Sequence, residues 1–121
     1  SSAASDVYMR QNKANKDCVY IEKYIDAHFK EDITLDTLSE LTFLNKYHIV
    51  HAFKQYKGIS PINYMIQKRI QEAKVLLSTT NLQISEISII IGFTSQSYFA
   101  QAFKKATGIS PIQFRKNHSE Q

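Results

Sequence analysis

The five residues GISPI occur twice, at Gly58-Ile59-Ser60-Pro61-Ile62 and again at Gly108-Ile109-Ser110-Pro111-Ile112. The residues before them match too: His51-Ala52-Phe53-Lys54 and Gln101-Ala102-Phe103-Lys104 stand at the same offset of 50. A passage written twice in 121 residues constrains the fold more than any bulk property, because each copy must make the same local structure. Serine before proline starts a helix: the hydroxyl caps free amides, and proline brings a helical φ and no N–H to satisfy. Glycine just upstream suits the left-handed residue that ends a helix. Each copy therefore predicts one helix ending and another beginning.

Working backward, Asn45 and Ser95 are N-cap types, followed by Ile49 and Phe53 in one unit and Phe99 and Phe103 in the other. These i, i+4 pairs predict helices over roughly 46–56 and 96–106. Ahead of them, Leu35, Leu38 and Leu41, and Ile84, Ile87 and Ile90, recur at helical spacing, now at an offset of 49. The second unit thus carries one extra turn residue, with Gly92 the natural candidate. A short helix, a tight turn and a longer helix make a helix-turn-helix. Between the units, Pro61 to about Leu77 reads as one unbroken helix, ended by Ser78-Thr79-Thr80-Asn81. At about 17 residues it is roughly 25 Å long, enough to act as a strut holding two units apart. Cys18, Ile21, Ile25 and Phe29 predict a packing helix over about 17–30, and Ile112 to Arg115 a short last helix pinned by Phe114. The expected organisation is a linker or cloning remnant at 1–16, a first lobe at 17–60, a connector at 61–80 and a second lobe at 81–118.

Three glycines and two prolines are too few for a turn-rich sandwich or barrel, so an all-α fold is expected. A single cysteine, Cys18, excludes an internal disulfide framework and suits a reducing cytosol, where it fills a core position. No apolar run approaches the roughly 20 residues that span a bilayer, and SSAAS has no signal-peptide core. Without an initiating Met, the chain reads as a piece of something longer. Its net charge of +4 is modest, but the charges segregate. Asp17 to Glu40 holds seven acids against Lys23 and Lys30. Leu41–Gln71 and Ile87–Ser119 hold no acids, and each contains one copy of the repeat. That segregation favours a polyanionic partner over a merely solubilising surface.

The set Ile84, Ile87-Ser88, Gly92-Phe93, Ser97-Tyr98-Phe99, Phe103-Lys104, Gly108-Ile109-Ser110-Pro111 and Phe114-Arg115 resembles the signature of the AraC/XylS family of bacterial transcription regulators. Leu35, Leu38, Ile49, Phe53-Lys54, Gly58 and Ser60-Pro61 match it more loosely in the first unit, and Arg69, Ala73, Leu76 and Leu77 match its connector helix. The resemblance covers about residues 17–116. It implies a DNA-binding domain of about seven helices, two helix-turn-helix units on a long connector. Such domains usually activate transcription and often contact RNA polymerase. It also implies a companion domain that senses a ligand or phosphorylation signal, or dimerises, and residence in the cytoplasm at the nucleoid. No cofactor or metal is called for. Ser39 and Thr42 depart from the family's usual Ala and Gly, and His51 stands where a long basic or amide side chain is commoner.

By this resemblance Tyr47, Val50 and His51 face bases in the first unit, with Asn45, Lys46 and Lys54 toward phosphates. On the second helix Gln96, Ser97, Ala100 and Gln101 are the base-facing set. Glutamine pairs with adenine and alanine meets a thymine methyl, so an A·T-leaning box is expected there. Lys104, Lys105, Arg115 and Lys116 are assigned to backbone phosphates, which set register without reading sequence. Tyr98 either packs or reads, and Arg69 either ties the connector to a helix end or reaches a phosphate. The acids Asp17, Glu22, Asp26, Glu31 and Asp32 are either a solvated face or a contact for the companion domain or polymerase. His48 and His51 lack the i, i+4 spacing and intervening carboxylate of a helical zinc pair, and the chain has neither a glycine-rich phosphate loop nor a nucleophile turn of the G-x-S-x-G kind. The rival to a DNA-binding domain is an all-helical adaptor for another protein.

Overall fold

A computed structural model describes residues 2–119 as seven helices, and no strand occurs among the described residues. In chain order they are α1 (Ser2–His28), α2 (Leu35–Thr42), α3 (Lys46–Lys57), α4 (Pro61–Thr79), α5 (Ile84–Ile90), α6 (Gln96–Thr107) and α7 (Pro111–Ser119). Two compact units divide them. One comprises α1 and Ile33–Tyr64; the other comprises Phe29–Asp32 and the chain from Met65 onward. The first turn of α4 therefore belongs to the first unit and its remainder to the second.

The repeat does what its chemistry requires. Gly58 and Gly108 end α3 and α6 in the left-handed region at φ 89° and 86°, each returning its amide to a lysine carbonyl one turn back, Lys54 or Lys104. Ser60 and Ser110 then cap α4 and α7, their hydroxyls accepting from the amides of Asn63 at 3.2 Å and Gln113 at 3.1 Å. Pro61 and Pro111 take the first helical position and are buried. Thr34 and Thr37 cap α2 reciprocally, side chain to amide in both directions at 3.2 Å.

In the first unit, Cys18, Ile21 and Ile25 of α1 are buried, as are Ile33, Leu38, Ile49 and Phe53. The Phe53 ring meets Tyr64 at 5.7 Å between centroids. Polar ties fasten the acidic helix to the same core. Glu22 takes a hydrogen bond from the Tyr56 hydroxyl at 2.7 Å and pairs with Lys57 Nζ at 2.5 Å, and the Tyr64 hydroxyl donates to Asp26. Tyr56 is 36% exposed because its hydroxyl reaches this outer pairing. Of the acids left open between a solvated face and a partner contact, Glu22 and Asp26 hold α1 to this unit.

The second core gathers Ile70, Ala73, Leu77, Ile87, Ile91, Phe93, Phe99 and Phe103, with Phe114 packed on its margin. Each buried Ile, Leu or Phe side chain contributes up to about 1.5–3 kcal/mol, so these eight positions dominate the unit's stability. Phe114 lies edge-on to Phe103 at 5.4 Å, which anchors α7 as expected. Gly92, the extra turn residue, has φ 99°, and a Cβ there would stand 2.6 Å from the Lys30 carbonyl oxygen.

Three local features have physical causes. Residues 2–16, in the interval 1–16 expected as a linker or cloning remnant, are helical and continue α1 without a break. This stretch lacks Gly and Pro and is rich in strong helix formers such as Ala3, Ala4, Met9, Arg10, Gln11 and Lys13. Its residues 3–13 are exposed, so propensity rather than packing sets its conformation. Second, the left-handed residue of the first turn is Phe43. Thr42 stays helical and donates to the Leu38 carbonyl, while Phe43 takes φ 61° and is 94% exposed. Third, of the two roles left open for Arg69 the structural one is seen: it is buried, with Nε donating to the Phe29 carbonyl and Nη2 to the Glu31 carbonyl.

Candidate nucleic-acid interface

Burial on one side of α3 and α6 decides what each helix shows on the other. Asn45 caps α3, its Oδ1 accepting from the His48 amide at 2.8 Å, and Ile49 and Phe53 sink into the first core. With the helix phase fixed by those two residues, Tyr47, His51 and Lys54 point outward and Val50 is half-buried at the edge. Tyr47 is 74% exposed. Ser95 caps α6 in the same way, accepting from the Tyr98 amide at 3.0 Å, and Phe99 and Phe103 are buried. Gln96, Ser97, Gln101, Lys104 and Lys105 are outward, with Ala100 half-buried. Each expected base-facing set thus shares one exposed helix face within its own unit.

Tyr98 both packs and shows itself. Its ring meets Phe93 edge-on at 5.1 Å, yet it remains 43% exposed.

The expected phosphate contacts divide. Lys54, Lys104, Lys105 and Lys116 are exposed. Lys46 is exposed too but pairs with Asp36 of α2, 2.6 Å away, so a phosphate must compete with that carboxylate. Asn45 has its side-chain oxygen occupied by the cap and only its amide nitrogen left to offer. Arg115 is a correction. Its Nε, Nη1 and Nη2 donate to the carbonyls of Leu77, Leu82 and Thr80, at 3.1, 2.6 and 3.3 Å. Those carbonyls close the end of α4 and the turn after it, where acceptors are left over by the helix. The half-buried guanidinium is thereby engaged by the protein's own carbonyls. The Asp36–Lys46 pairing had no signature in the sequence, since the matching positions of the second unit, Ser85 and Gln96, carry no charge.

A family profile described as a helix-turn-helix domain matches residues 38–117. The C-terminal domain of AraT, a response regulator from Geobacillus stearothermophilus, is similar in structure, with a TM-score of 0.79 at 36% identity over 84% of each chain. The arabinose operon regulatory protein of Salmonella typhimurium is 39% identical over 99 residues, 81% of this chain and 34% of its own. The chain belongs to the AraC/XylS family of DNA-binding transcription regulators. Another relative, the bifunctional transcriptional activator/DNA repair enzyme AdaA of Bacillus subtilis, is 40% identical over 96 residues, 79% of this chain and 46% of AdaA. The chain therefore spans less than half the length of these two relatives. No helix among the described residues is long and apolar enough to cross a membrane.

Proposed function

We propose that this domain binds duplex DNA sequence-specifically by seating α3 and α6 in successive major grooves, and that the protein it serves activates transcription. The observation that carries the reading is the duplication itself. Two helices, each capped at its start and buried on one side, present small, amide and aromatic side chains outward with lysines beside them. B-DNA turns its major groove to the same side every 10–10.5 bp, about 34–36 Å, so two unlike heads on one chain match an asymmetric site. Tyr47, Val50 and His51 read one box; Gln96, Ser97, Ala100 and Gln101 read the other. Lys54, Lys104, Lys105 and Lys116 supply backbone contacts, joined by Asn45 through its amide and by Lys46 once it leaves Asp36. Activation is supported by AdaA, whose name includes that role. The domain works by binding and performs no reaction of its own. Its further partners are RNA polymerase and a companion sensor or dimerisation domain, in the bacterial cytoplasm at the nucleoid.

A duplex titration over a salt series tests the reading. With roughly 6–8 phosphate contacts, log K falls against log salt with a slope of about −5 to −7. Gln101→Ala relaxes preference at one or two positions of one box, whereas Lys104→Ala weakens all duplexes alike. A flat salt response makes the domain a protein adaptor instead.

A further inference from the structure

On the outward face of α3, Tyr47 and His51 stand four residues apart and their rings meet. The centroids are 4.1 Å apart and the planes inclined by 45°, although both side chains are exposed. Fifty residues on, α6 has Ser97 and Gln101 at the matching positions, which cannot form a ring pair. An exposed side chain loses rotamer freedom when it engages a partner, and that loss opposes binding. A neighbouring ring at i, i+4 removes part of the loss beforehand by favouring one rotamer in the free protein. The two heads therefore differ in kind: the first offers an imidazole paired with a ring, the second an amide without such a pair.

We propose that Tyr47 is a positioning residue, its ring holding the His51 imidazole in the orientation that meets a base edge. The inference rests on α3 reading the major groove. A ring N–H is a donor, and the acceptors that suit it there are O6 and N7 of guanine. The first box then prefers a G·C pair at one position, and that preference depends on the ring of Tyr47 and not on its hydroxyl.

The test is a selection of bound duplexes from a random pool, using the 121-residue chain and its Tyr47→Ala, Tyr47→Phe, His51→Ala and Tyr47→Ala/His51→Ala variants. His51→Ala abolishes the preference at one position. Tyr47→Ala lowers it at that same position by about two- to tenfold, the population bias a ring pair gives, while Tyr47→Phe stays within about twofold of the parent. The double variant matches His51→Ala alone. The unfolding midpoint does not move, because Tyr47 is exposed and supports no core. Three results overturn the assignment: Tyr47→Phe as damaging as Tyr47→Ala, Tyr47→Ala relaxing a different position, or Tyr47→Ala leaving the preference intact. A failure of the underlying reading looks different. Lys54→Ala, Val50→Ala and His51→Ala would then all leave affinity and preference unchanged, which places α3 off the duplex and removes the inference with it.

Discussion

The Arg69 guanidinium donates from Nε to the Phe29 carbonyl at 2.6 Å while its Cζ lies 5.4 Å over the Phe93 ring. One buried cation thus closes the segment Phe29–Asp32 and stacks on the second core, with a further bond from Nη2 to the Glu31 carbonyl. Burial pulls its pKa below the ordinary arginine value, opposed by the nearby Tyr98 and Asp32. Replacing it with methionine keeps the stem but leaves two carbonyls without this donor. Arg69→Met is expected to cost about 2 kcal/mol, read as a lower urea midpoint at unchanged slope.

Gly92 sits against the same segment. Gly92→Ala has to find room for a Cβ 2.6 Å from the Lys30 carbonyl oxygen and 3.1 Å from the Arg69 Cζ, in a left-handed conformation. Gly58→Ala meets only the conformational cost, since nothing lies within 4 Å of its Cβ. The expected losses are about 1 kcal/mol at Gly58 and at least about 2–3 kcal/mol at Gly92, and parallel denaturation curves give the difference.

Phe43 is the reverse case. It occupies the left-handed region at φ 61° without being glycine, and with 94% of its surface exposed it has little packing to lose. Asparagine tolerates that conformation better than a bulky aromatic does. Phe43→Asn is expected to stabilise the protein by about 0.5–1 kcal/mol, seen as a raised melting temperature.

Acid should loosen the first unit through Glu22. The Lys57 ammonium and the Tyr56 hydroxyl, in that order, hold its carboxyl below the ordinary value of 4.5. A carboxyl whose folded pKa is depressed stabilises fully above its unfolded value, and that stabilisation is lost as pH falls through the lower folded one. Stability measured from pH 6 downward should therefore fall below about pH 4.5, and Glu22→Gln should flatten this part of the profile.

What could be read in advance follows from the range of the causes. Caps, left-handed glycines and the i, i+4 stripes act within a few residues, so α5 over Ile84–Ile90 and the starts of α3, α4, α6 and α7 stand where Asn45, Ser60, Ser95 and Ser110 imply. The outward faces of α3 and α6 followed from the same phase, because burying Phe53 or Phe103 leaves the opposite side no choice. Arg115 was opaque and Arg69 was left open between two roles: they bond carbonyls 33 to 40 positions away, which no local pattern encodes. Equally hidden were the Asp36–Lys46 pair and the Tyr47–His51 ring contact, since composition does not tell a lone exposed side chain from a paired one.

The most direct test of the account is a hydroxyl-radical footprint of the chain on a duplex recovered by selection. Two protected windows are predicted on one side of the helix, their centres about 10–10.5 bp apart. His51→Ala should weaken one window and Gln101→Ala the other. A single window, or two on opposite sides of the duplex, would contradict the claim that this chain reads DNA with two heads.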